Sequence, residues 1–181
     1  MGSKKEIRQL INKGCFEPAY EQINGWSSQK IIDFLSSDMY HDEGSTVYAF
    51  LMYILSRKPK EEGEWHYHCF AYMTWIGPWF DDAYALGAWH FRKVIELEPE
   101  NIERKAIGLH TFYTYPGRYF SKEEYKELAK SIYENREYLE SLVDKERLAE
   151  MGAGSIELET IKIAKKILES DDPIPSWQKH N

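Results

Sequence analysis

The stretch Asp81–Asn101, DDAYALGAWHFRKVIELEPEN, decides the fold. Its apolar residues recur at helical spacing. Gly87 is small, Phe91 is aromatic, Val94, Ile95 and Leu97 are apolar, and Pro99 ends the run. A second helical pattern starts at Ile102. A helix, a proline stop and an immediate second helix form the joint between units in a stack of helix hairpins. Such stacks commonly act as binding scaffolds without chemistry of their own.

Outward from this segment every long pattern is helical. Upstream, Glu64–Ile76 is apolar on most sides and is broken by Gly77-Pro78. Ser45–Arg57 is apolar nearly all round, which predicts a helix buried nearly all round. Ser3-Lys-Lys-Glu6 has the spacing of a capping box, and Gly14 stops the helix it opens. Pro18 fits the first turn of a short helix, and Ser27 or Ser28 can cap the next. Downstream, Ile102–Tyr115 ends at Pro116-Gly117. Ser121-Lys-Glu-Glu124 is a second capping box, followed by a stripe from Tyr125 through Leu128, Ile132 and Leu139 to Val143. Gly152-Ala-Gly154 reads as a hinge, and Ser155 caps a last helix. Asp42-Glu43 reads as turn and helix-start chemistry. No run demands a strand. The expectation is one all-α domain over residues 1–181 with a short proline-rich tail at 171–181. It is built either of stacked helix hairpins or as an irregular helical bundle.

Bulk properties narrow the function classes. The chain has 181 residues, 43% hydrophobic and 29% charged, a globular balance and not a disordered one. Net charge is -7. Residues 1–60 carry 8 basic and 7 acidic side chains, and residues 61–181 carry 15 and 23. A phosphate backbone would be repelled, so no nucleic-acid partner is expected, whereas a basic protein would be attracted. Cys15 and Cys69 match no zinc or redox spacing and read as free thiols of a reducing compartment. No apolar run approaches a membrane span, and the N-terminus lacks the apolar region of a signal peptide. A cytoplasmic location is the default.

The spacing Gly87-x3-Phe91-x2-Val94-x4-Pro99, with its LEPEN ending, resembles the second helix of a tetratricopeptide repeat. Phe112 stands where the following first helix places an aromatic. The resemblance covers about residues 65–112. It implies a stack of hairpins with a concave groove lined by first helices, and it places His110 and Tyr113 on such a face. Nine aromatic rings lie between Trp65 and Trp89. Most belong to a core, but His68, Tyr72 and Trp75 are candidates to join His110 and Tyr113 in a groove that grips a peptide or loop.

Other constellations carry weaker chemistry. His66 and Cys69 share a helix face, but zinc needs three or four ligands. A third would have to come from His90, His110 or Cys15. Asp81-Asp82 could hold a cation or act as acid and base, yet the position at a helix start suits capping. No nucleophile elbow, phosphate loop or dinucleotide glycine pattern is present. The reading is therefore a protein-interaction module with no cofactor, holding a basic protein or peptide in an acidic, aromatic-lined groove. A bacterial toxin-neutralising immunity protein is one specific form of it. The alternative is a small enzyme using His66, Cys69, Asp81 or Asp82.

Overall fold

The computed structural model describes residues 2–39, 44–76, 81–115, 117, 119–143 and 155–175. The class is all-α, with no strand among the described residues. The chain forms two compact units, 1–97 and 98–181. Gly152–Gly154, the candidate hinge, lies outside the described residues, as do Asp42-Glu43 and Trp79-Phe80. The stretch that resembles a tetratricopeptide repeat crosses the boundary at Leu97.

The first unit contains α1 (Lys4–Asn12), α2 (Phe16–Ile23), α3 (Ser28–Ser37), α4 (Gly44–Arg57), α5 (Glu62–Ala71) and α6 (Ala83–Leu97). The Ser3 capping box forms: the hydroxyl accepts from Glu6 N at 3.3 Å, and the Glu6 carboxylate accepts from Ser3 N at 2.7 Å. Gly14, which ends this hairpin arm, has φ +72°, a conformation costly for a side chain bearing Cβ. Ser27 caps α3. The core gathers Ile7, Ile11, Ile31, Phe34, Val47, Phe50, Ile54, Trp65 and Met73. One side of α4 is therefore fully buried, while Tyr48, Met52, Tyr53 and Leu55 are only partly so.

Helices α5 and α6 pack antiparallel, and their joint departs from the sequence expectation. Where one helix was expected over Glu64–Ile76, α5 is α-helical to Ala71 and then continues as a π-helical turn over Tyr72–Ile76. Thr74 within that turn donates its hydroxyl hydrogen to Phe70 O at 2.9 Å, closing a local bond that competes with the regular ladder. The turn lies against Gly87 of α6. A Cβ at Gly87 would stand 2.8 Å from Thr74 Cγ2 and 3.3 Å from Met73 Cβ. Glycine at this point lets the two helices meet. Next to it Phe91 is fully buried, with its ring 5.3 Å from that of Phe70.

The second unit contains α7 (Ile102–Thr114), α8 (Lys122–Glu134), α9 (Arg136–Ser141) and, as α10 here, Ile156–Glu169. Helix α10 packs on α7, α8 and α9. Asn101 caps α7, the Ser121–Glu124 capping box starts α8, and Ser155 caps α10. The stripe expected to run unbroken to Val143 is interrupted at Asn135, whose ψ of 20° leaves helical geometry. Its side chain donates to Ser131 O at 2.9 Å, supplying a partner to a carbonyl at the end of α8. Leu109, Phe112, Phe120, Tyr125, Ile132, Leu139 and Ile167 form the core, and the Tyr125 hydroxyl donates to Phe112 O at 2.9 Å.

Two stability outcomes follow from the α5–α6 joint. Phe91→Ala should cost about 3–5 kcal/mol in urea unfolding, as for other fully buried phenylalanines. Gly87→Ala should destabilise despite alanine's helix preference of about 1 kcal/mol, because overpacking costs about 1–3 kcal/mol. Adding Thr74→Ser removes the methyl that clashes, so the double variant should be more stable than Gly87→Ala alone.

Candidate functional site

The α5–α6 joint brings together a chain of polar side chains that no apolar core requires. His66 on α5 and His90 on α6 are both buried, at 3% and 0% exposure. Their Nδ1 atoms are 2.7 Å apart. His90 Nε2 is 2.9 Å from the hydroxyl of Tyr48 on α4. At the outer end, His66 Nε2 lies 3.6 Å from the Glu62 carboxylate, which is half exposed. Tyr48, His90, His66 and Glu62 thus form a line from α4 to the surface.

Chemistry assigns the protons. An ionised carboxylate only accepts, so Glu62 favours N–H at His66 Nε2. In neutral His66, Nδ1 is then an acceptor. His90 must donate from its own Nδ1, which leaves His90 Nε2 to accept from the Tyr48 hydroxyl. Both hydrogen bonds run outward, from Tyr48 to His90 and from His90 to His66, and both rings are neutral. Burial sets the titration: it pushes the His90 imidazole down to about 3, with the neighbouring His66 adding to the effect. Burial also lowers His66, against the opposing pull of Glu62, with a smaller push from Lys93 and a smaller counter-pull again from Glu96. The Tyr48 phenol is pushed up to about 12, first by burial and then by Cys69. The Cys69 thiol is itself raised by burial to about 12, which keeps it out of the thiolate form that nucleophiles and metal ligands need.

Over this line lies Trp89. Its ring contacts those of His66 and His90, with centroids at 5.5 and 4.7 Å, yet the residue remains 44% exposed. Trp75, at the end of the π-helical turn, is also 44% exposed and is braced edge-on by Phe70 at 5.6 Å. Each indole therefore has one side in solvent and a buried ring beneath it.

The residues expected in a groove fall in both units. In the first, Trp75 is exposed and Tyr72 is buried in the core. His68 is half-buried beside the Trp65 ring and 3.6 Å from Glu64. In the second, His110 is half-buried and 3.2 Å from Glu159, and Tyr113 is buried with the Lys166 ammonium 5.9 Å from its ring centroid. For the enzyme alternative, His66 and Cys69 lie in the buried joint, whereas Asp81 and Asp82 are exposed at the turn before α6. Asp82 has φ +64°, and its carbonyl accepts from Leu86 N at 3.0 Å, a backbone role at the start of the helix. No three His, Cys, Asp or Glu among the described residues converge as metal ligands.

From the sequence His66 is a candidate metal ligand or enzyme residue and His90 a possible third ligand, whereas Tyr48 and Glu62 are not singled out. The legible signal was the i, i+4 spacing of Glu62 and His66. No helix among the described residues is long and apolar enough to cross a membrane. No family model, curated protein or solved structure matches the chain.

The buried imidazoles set a pH dependence. Unfolded, they take up protons below about pH 6.5; folded, burial lowers both, His90 to about 3. The unfolded state therefore binds more protons, and stability is lost as pH falls from about 6.5 towards the folded value. Between pH 7 and 5 His90 by itself should account for a loss of about 2 kcal/mol, read from urea melts, with His66 adding in the same direction. Replacing both rings, His66→Phe with His90→Phe, should flatten that dependence.

Proposed function

We propose that the protein is an interaction module that holds another protein through the α5–α6 face of its first unit. The observation that carries this is Trp89: a large ring at the surface, fixed by two buried imidazoles. A binding site loses about 0.5–1.5 kcal/mol for each mobile side chain it must order. A tryptophan already held in place avoids much of that loss, and tryptophan is enriched among residues that dominate binding energy. Trp75, braced by Phe70, repeats the device.

The electrostatics favour a basic partner at this face. Glu62 and Glu64 lie on α5, and Glu62 reaches the imidazole on which Trp89 rests. A lysine or arginine of the partner could meet the Trp89 ring and the Glu62 carboxylate together. The all-helical architecture is compatible with a hairpin stack of tetratricopeptide type, and neutralising a basic toxin is one specific role such a face would suit. His68 borders the same helix. The proposed face comprises first-unit residues alone; His110 and Tyr113, expected in the same groove, belong to the second unit. The raised Cys69 thiol and the solvent-remote imidazoles favour binding over nucleophilic chemistry.

Capture of a partner from lysate, identified by mass spectrometry and quantified by calorimetry, tests the reading. Trp89→Ala should weaken binding by about 2 kcal/mol or more, as at an interface hot spot, while the helical circular dichroism is retained. Higher salt should slow association. A partner bound equally well by folded Trp89→Ala and Trp75→Ala variants would refute the assignment of this face.

A further inference from the structure

The second unit carries a surface of the opposite charge. Lys162, Lys165 and Lys166 occupy one face of α10 at i, i+3 and i+4 spacing and border a depression of about 500 Å³. It shares Lys166 and Ser170 with a cleft of about 250 Å³ lined by Tyr113 and the Pro173-Ile174-Pro175 segment. The acids at these sites are matched. Glu169 lies 3.8 Å from Lys165, and Asp172 lies 3.2 Å from Lys122. Lys162 and Lys166 form no ion pair among the described residues, and Lys166 instead lies near the Tyr113 ring. Two unmatched cations thus lie on this face in a chain whose net charge is -7, and Lys166 also borders the cleft, whose mixed lining includes Ser170 and the ion-paired Asp172.

We infer that this surface binds an acidic peptide segment of a partner protein, with carboxylates on Lys162 and Lys166 and one apolar side chain in the cleft between Tyr113 and Pro173–Pro175. Charge complementarity selects the sign of the ligand. Extent selects a peptide: Lys162 to Ser170 spans about 12 Å along the helix before the cleft begins, further than one small anion reaches. The Tyr113, Pro173, Ile174 and Pro175 part of the cleft adds an apolar contact that a phosphate chain does not supply. This site is built of second-unit residues and the Trp89 face of first-unit residues, and each proposal can fail without the other.

Fluorescence anisotropy on the full chain tests it. The probe is a fluorescein-labelled peptide, Asp-Glu-Glu-Leu-Glu-Asp. It should bind better than Lys-Lys-Lys-Leu-Lys-Lys, and exchanging its Leu for Ser should weaken it several-fold. The double variant Lys162→Ala/Lys166→Ala, at two exposed positions, should lose about tenfold in affinity and keep its helical spectrum. Trp89→Ala should leave this binding unchanged. The inference is overturned if the acidic peptide binds no better than the basic one, if the double lysine variant binds as the parent does, or if oligothymidylate competes as well as the unlabelled peptide.

Discussion

The near-contact of α5 and α6 at Gly87 governs the chemistry of the first unit. Glycine leaves room for Thr74 and Met73 to press against the α6 backbone. At that separation, rings one turn further along can touch: Phe70 meets Phe91, and His66 meets His90. A wider spacing would leave the Nδ1 atom of each buried imidazole without its partner, and an unsatisfied buried polar group costs about 1–3 kcal/mol. Packing and polar satisfaction therefore depend on the same missing methyl. The exposed Trp89 depends on it as well, because the rings that support the indole are those the close approach brings together.

The polar line from Tyr48 to Glu62 shows how a helical core accommodates titratable groups. An apolar replacement of similar volume would avoid the desolvation of two imidazoles. The line instead ties three helices, α4, α5 and α6, through directional bonds. Directional bonds fix the register of neighbouring helices more sharply than apolar packing, which tolerates sliding among similar shapes. In the second unit the corresponding ties are single: the Tyr125 hydroxyl to Phe112 O, and the Thr160 hydroxyl to Ala106 O at 3.4 Å.

Local chemistry was the legible part of the sequence. Both capping boxes, the caps at Ser27 and Ser155 and the glycine stop at Gly14 form where short-range pattern places them, because each depends on residues within one turn. The π-helical turn at Tyr72–Ile76 was hidden, since a residue accommodated without breaking the helix leaves the apolar pattern almost unchanged. Asn135 was hidden by the apolar stripe on either side of it. Pro99 ends a helix identically whether the next helix belongs to the same compact unit or another. For the site, periodicity placed His66 and Cys69 on one face, but only the approach of α6 could show that His66 pairs with His90. The lysines of α10 were masked by the acidic average of the region that contains them.

The two cysteines sit at opposite extremes of accessibility. Cys15 is exposed, while Cys69 is buried in the first unit's core with its thiol held protonated. A thiol reagent therefore meets one cysteine in the native chain and a second only when that core opens. The rate of the second modification, followed at increasing denaturant, reports the opening free energy of the first unit by itself. The chain thus contains its own kinetic clock for that unit, and no introduced label is needed to read it.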